Sequence, residues 1–180
     1  MSASLRLMLS ILLLAGGCAL AQADPARFGI GRMPGAAEIA GWDIDVRADG
    51  LGLPPGQGSV RDGEKIYADS CAACHGQNGE GGVGNKLVGG YGTLATAKPV
   101  RTVGSYWPYA TTLFDYIRRA MPFNAPQSLT ADQVYAVSAY VLYLNKIVPA
   151  DAVLDAASLP KVAMPNRNGF TSPDPRPDVP

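Results

Sequence analysis

Cys71-Ala72-Ala73-Cys74-His75 limits this chain more than any other stretch of it. Two thiols at this spacing add across the vinyl groups of a haem, and the residue that follows ligates its iron. His75 is the single histidine in the sequence. A second imidazole is therefore not available from the chain itself, so the sixth coordination position falls to a methionine or stays open. The choice separates functions: histidine with methionine raises the potential and suits an electron carrier, whereas an open position suits binding or activating a small molecule.

Other readings of the cysteines are weaker. A zinc site needs about four ligands, usually from two such pairs, and besides Cys71 and Cys74 only Cys18 remains. A thioredoxin-like redox pair needs a βαβ setting, yet the residues before Cys71 pattern as a helix and those after it as a glycine-rich loop.

Cys18 itself lies in a predicted leader. Residues 1–23 carry Arg6, an apolar run from Leu7 to Ala15 and then Ala21-Gln22-Ala23, a small-x-small cleavage pattern that would start the mature chain at Asp24. The run falls short of the roughly 20 residues that span a bilayer. No transmembrane segment is expected after the leader is removed. Lipid attachment at Cys18 is the lesser alternative, because Ala15 stands where lipoprotein signals usually carry leucine. Export to the periplasm suits haem c, which bacteria attach outside the cytoplasm. With 15 basic and 15 acidic residues, loss of Arg6 leaves the mature chain one charge negative. Nothing in this balance points to nucleic acid.

Beyond the leader, the pattern predicts an extended N-terminal arm over 24–58, a helical domain over 59–145 and a proline-rich C-terminal arm over 146–180. In the first arm, Ala36 to Ala40 reads as a helical turn, and Trp42 to Val46 alternates like a short strand or a strip laid over a core or a partner. A first helix is predicted over 61–73, with Ser59 as a cap and Asp62 and Glu64 in its first turn. Gly63 lies in this helix at a cost of up to about 1 kcal/mol. Close crossing by another helix would explain it, with Tyr140 a candidate to meet Gly63 and Tyr67. A second helix is framed by Pro108 and by Met121-Pro122. A third opens at Thr130-Ala131-Asp132-Gln133, a capping-box pattern, and continues with Val134, Val137, Val141 and Leu144 at helical spacing. Ala152 to Ser158 is expected to make a helical turn.

Three methionines follow the leader: Met33, Met121 and Met164, each before a proline. Met121 ends an amphipathic helix, and Pro122 bars it from helical geometry, which turns its thioether away from that helix. It is the expected sixth ligand, with Met164 as its competitor from the C-terminal arm. Without a coordination role, Met33 and Met164 are core fillers. His75 is expected to donate its other ring N–H to a carbonyl of the glycine-rich loop. Lys98, Arg101 and the Trp107 indole are candidates for the haem propionates, whereas Arg118 and Arg119 read as a solvated helix end.

Gly63-x-x-x-Tyr67 ahead of the Cys71–His75 motif, the later Met121-Pro122 and the aromatic-bearing last helix resemble a class I cytochrome c. The loop departs from many relatives in having Asn85-Lys86-Leu87 where proline usually precedes the leucine. The arms narrow the resemblance. Ala37-Glu38-Ile39-Ala40-Gly41-Trp42-Asp43-Ile44-Asp45-Val46-Arg47, Gly52-Leu53-Pro54-Pro55-Gly56 with Gly58, Ser105-Tyr106-Trp107-Pro108-Tyr109-Ala110 and Met164-Pro165-Asn166-Arg167-Asn168-Gly169-Phe170 are similar to cytochrome subunits of bacterial molybdenum sulfite dehydrogenases.

This resemblance implies a mainly α fold around one covalently bound haem c, held by Cys71 and Cys74 with His75 and Met121 as iron ligands. It implies single-electron transfer rather than catalysis by the chain itself. The donor would be a molybdopterin-containing dehydrogenase subunit oxidising sulfite, and the acceptor a soluble cytochrome or terminal oxidase. A freely diffusing carrier, the cytochrome subunit of another dehydrogenase, and an open-site haem enzyme or gas sensor are the alternatives.

Overall fold

The computed structural model describes residues 30–171. The expected leader, its cleavage point before Asp24, Cys18 and the closing stretch from Asp174 to Pro180 lie outside the described residues. The chain divides into two units after Glu38. In the first, Arg32 pairs with the Glu38 carboxylate, and the Gly35 N–H donates to it at 2.8 Å. The guanidinium beside it is the main reason the Glu38 carboxyl is held down at about 2. Helix α1, Ala36–Trp42, runs on from here.

The second unit is built on α2 (Val60–Ser70), the single turn α3 (Ala72–His75), α4 (Ala110–Ala120) and α5 (Ala131–Leu144). Local chemistry sets the helix starts. Ser59 Oγ accepts the Asp62 N–H at 3.1 Å, and Thr130 and Gln133 exchange the two bonds of a capping box at 2.8 and 3.3 Å. α2 crosses α5 where Gly63 is buried, and Tyr67 meets Tyr140 with ring centroids 5.3 Å apart, the crossing that the glycine predicts. α4 packs on α5 through Phe114 and Tyr135, 4.5 Å apart.

Two expectations about local structure are corrected. The first helix breaks at Cys71 (φ −125°) and resumes as α3 instead of running unbroken to residue 73. Ala152 to Ser158 is not a helical turn: strand β2 (Val153–Asp155) pairs antiparallel with β1 (Gln57–Ser59), and a 3₁₀ turn follows at Leu159–Lys161. Leu154 alternates inward with exposed Val153 and lies opposite Gly58. The backbone groups of β1 thus find partners that a single helical turn would not have supplied.

Irregular stretches on both sides of the helices are fastened to them. Val46 is a core residue, so this end of the Trp42–Val46 strip caps the core, while Trp42 is 89 % exposed. Along α4, Asp115 Oδ1 accepts the Val46 N–H at 2.8 Å, Arg118 Nη1 donates to the Ile44 carbonyl at 3.0 Å, and Thr111 Oγ1 donates to the Ala48 carbonyl at 3.1 Å. Arg119 pairs with Asp115. Arg118 and Arg119 are therefore ties to the helix surface and to the segment lying on it, not a free helix end. On the other side, Met164 is buried, Asn166 Nδ2 donates to the Tyr106 carbonyl at 2.7 Å, and Phe170 packs edge-on against Tyr106.

Asp115 is 8 % exposed, and removing it strands the Val46 backbone N–H and breaks the pair with the half-exposed Arg119 guanidinium. Asp115→Ala is expected to lower the unfolding free energy by about 2 kcal/mol. Urea titration checks this, and an unchanged midpoint would mean that the segment is not held there. No helix among the described residues is long and apolar enough to cross a membrane.

Candidate functional site

α2 delivers the chain into the motif. The Cys71 N–H closes on the Tyr67 carbonyl at 2.9 Å, and the His75 N–H on that of Cys71 at 3.0 Å, so Cys71, Cys74 and His75 sit on one tight helical turn. Neither cysteine forms a disulfide: Cys71 is half-buried at the edge of the core and Cys74 is exposed. Burial pushes the Cys71 thiol up to about 11. That is the opposite of the depressed value that marks a redox or nucleophilic cysteine. The two-stranded antiparallel ribbon is the one sheet among the described residues, so the βαβ setting of a thioredoxin-like pair is missing as well. No cluster of three or more histidine, cysteine or acidic side chains suited to a metal ion occurs among the described residues, which removes the zinc reading there.

The glycine-rich loop folds back over His75. Gly84 N donates to the Cys74 carbonyl at 2.8 Å and Gly81 N to that of His75 at 2.7 Å. His75 Nδ1 lies 2.7 Å from the Asn85 carbonyl. A carbonyl only accepts, so Nδ1 carries the proton and Nε2 keeps its lone pair for a metal. The carbonyl left open by the missing proline is thus identified as that of Asn85. Gly84 makes this approach possible, because a Cβ there would stand 2.9 Å from both Nδ1 and Cε1 of the ring. Tyr67 supports the same turn from below by donating its hydroxyl to the Gly76 carbonyl at 2.9 Å, and burial raises that phenol to about 12. In the sequence Tyr67 reads as a packing residue alone, and nothing there signals this bond. Gly84 carried no separate signal among so many loop glycines.

The three methionines occupy different surroundings. Met33 is 77 % exposed, Met164 is 3 % exposed within the core, and Met121 is half-buried at the core's edge. Met121 caps α4 with extended backbone, φ −124° and ψ 150°, as a following proline requires. Of the propionate candidates, Lys98 is exposed, Arg101 lies 5.4 Å over the Tyr106 ring, and Trp107 packs edge-on against Tyr116. Nothing ties these three to one another. The donor set fits a haem c: two unpaired thiols, an imidazole fixed with Nε2 free, and a thioether at the margin of an apolar core.

A helical domain built on this turn, with its thiols and oriented imidazole, belongs to the class I cytochrome c family, whose prosthetic group is haem c. The family model described as cytochrome c oxidase, cbb3-type, subunit III matches residues 58–141. The chain is also 45 % identical to a chain in the crystal structure of the sulfane dehydrogenase SoxCD from Paracoccus pantotrophus. That match covers 83 % of this chain and 74 % of the other, with a TM-score of 0.77. The chain is thus similar to a cytochrome electron-transfer subunit of a dehydrogenase.

Proposed function

We propose that this protein is an exported monohaem cytochrome c that accepts single electrons from a molybdopterin-containing dehydrogenase acting on reduced sulfur, and passes them to a soluble cytochrome or terminal oxidase. The observation that carries the reading is the 45 % identity to a chain of a sulfane dehydrogenase over 83 % of the sequence. It favours sulfane sulfur beside sulfite as the partner's substrate. Cys71 and Cys74 would hold the group covalently, His75 Nε2 would ligate its iron, and Met121 would supply the opposite ligand. Bound there, haem c supplies a one-electron Fe(III)/Fe(II) couple. Asn85 and Gly84 orient the imidazole, and the carbonyl's pull on the Nδ1 proton raises the ligand's basicity. The leader over residues 1–23 would direct the chain to the periplasm, and the chain has no catalysis of its own in this reading.

One observation favours a freely diffusing carrier as the second reading: Val46 and Met164 from the flanking segments are spent in this chain's own core, so those segments need no partner to be ordered. Purification of the tagged, haem-loaded protein from its own periplasm separates the two. The expected result is one haem per chain, recovery with a molybdenum-containing subunit, and haem reduction on adding sulfite or a sulfane donor. Recovery as a lone cytochrome that neither substrate reduces would leave the carrier reading.

A further inference from the structure

Asn145 is an amide buried to 2 % exposure at the C-cap of α5, and most of its bonds go to the loop beyond the haem motif. Its Nδ2 donates to the Leu87 carbonyl at 3.1 Å and to the Val141 carbonyl at 2.9 Å. Its Oδ1 accepts the Tyr91 hydroxyl at 3.3 Å and, more weakly, the Gly89 N–H at 3.4 Å, and its backbone carbonyl also accepts from Tyr91. Room for this junction comes from Gly104, where a Cβ would fall 2.2 Å from Asn145 Oδ1 and 2.5 Å from the Tyr91 hydroxyl. The Leu87 carbonyl also accepts the Val103 N–H at 3.3 Å, and the Leu87 N–H donates to the Gly79 carbonyl at 2.9 Å.

Leu87 is therefore a fixed point two residues from the carbonyl that orients His75. Upstream, the loop is held by the bonds from Gly81 and Gly84 to the motif turn. Downstream it is held by Leu87, and there Asn145 links it to the last turn of α5. Proline at position 85 would restrict the backbone by itself, but an asparagine leaves φ free. The rigidity that the acceptor needs must then come from its anchors.

We propose that Asn145 is a positioning residue for the axial ligand: by clamping Leu87 to the end of α5 it holds the Asn85 carbonyl against His75 Nδ1 and so helps set the reduction potential. The inference rests on His75 being the iron ligand of the proposed function. Loss of the clamp lets the carbonyl drift, weakens the Nδ1–H bond and makes the imidazole a poorer donor to ferric iron, so the potential rises.

Asn145→Leu removes both Nδ2 donations and the Oδ1 acceptor without adding a charge. Tyr91→Phe removes only one hydroxyl from a 48 % exposed residue and is expected to fold even if the leucine variant does not. Both holoproteins are to be compared with wild type by redox titration and by exchange of the His75 Nδ1 proton in NMR spectra of the ferrous state. For Asn145→Leu the expected result is faster exchange of that proton and a ferrous-to-ferric ratio raised about tenfold at fixed poise, equivalent to about 59 mV for a one-electron step. Tyr91→Phe shifts both readings the same way by less. Leu154→Ala, in β2, serves as a control that is expected to lower stability without moving either reading.

A lower melting temperature with unchanged potential and exchange in Asn145→Leu would make Asn145 merely structural and overturn the proposal. If Asn145→Leu does not fold, unchanged readings in Tyr91→Phe would overturn it equally. Absence of covalent haem from wild type would instead overturn the functional reading beneath it.

Discussion

Met121→Ala is expected to abolish the weak charge-transfer band that thioether ligation gives an oxidised haem c and to lower the reduction potential by on the order of 0.2 V, a fraction of the roughly 0.8 V that axial ligation spans. Thioether sulfur stabilises ferrous iron relative to ferric, so its loss favours the oxidised state. The prediction discriminates because the other methionines sit elsewhere. Met164, at 3 % exposure within the core, is a packing residue. Met164→Ala should cost about 2–5 kcal/mol through the cavity it leaves while band and potential stay in place. Met33→Ala, at a position 77 % exposed, should change neither stability nor spectrum. Loss of the band in Met164→Ala with its retention in Met121→Ala would assign the sixth ligand to the C-terminal segment and refute Met121 as that ligand. Visible spectra of the oxidised variants and equilibrium redox titration read both quantities.

The helices and the motif turn were legible in the sequence because their determinants are local. Ser59 and the Thr130/Gln133 pair satisfy nearby backbone N–H groups, Pro122 ends α4, and a two-residue cysteine spacing needs nothing distant. Gly63 is legible for another reason: a residue unfavourable in a helix implies a close neighbour, and Tyr140 is part of it. The other contacts between segments far apart in the chain are not legible. Asp115 receives the Val46 N–H across 69 residues, and neither residue type suggests the other. Arg118 and Arg119 satisfied the helix-dipole rule at the end of α4, which hid their ties to Ile44 and Asp115. Residues 153–155 are too few to show a period, and they pair only because β1 lies alongside them. The acceptor for His75 was unreadable because a backbone carbonyl carries no side-chain signature, and the expected proline was absent.

Gly63→Ala should be among the most damaging single-methyl changes to this protein. A Cβ at that position would lie 1.9 Å from the Ala136 carbonyl oxygen, 2.5 Å from its carbon and 2.8 Å from the Tyr140 Cβ. These atoms are mostly backbone in the middle of α5, so no side-chain rotation makes room and the two helices have to separate. Alanine would improve helix propensity by about 1 kcal/mol. Overpacking costs about 1–3 kcal/mol, occasionally more, and separation also weakens the Tyr67–Tyr140 ring contact, a further ~0.5–1.5 kcal/mol. The net expectation is a loss of about 0.5–3.5 kcal/mol in chemical denaturation. Gly41→Ala supplies the comparison: the same methyl in α1 meets no atom within 4 Å, so propensity acts alone and stability should hold or rise slightly. Ala136→Gly combined with Gly63→Ala should give no rescue, because the obstacle is the carbonyl of residue 136 and not its methyl group. Equal behaviour of the two glycine substitutions, or rescue by Ala136→Gly, would show that α2 and α5 do not cross in backbone contact at Gly63.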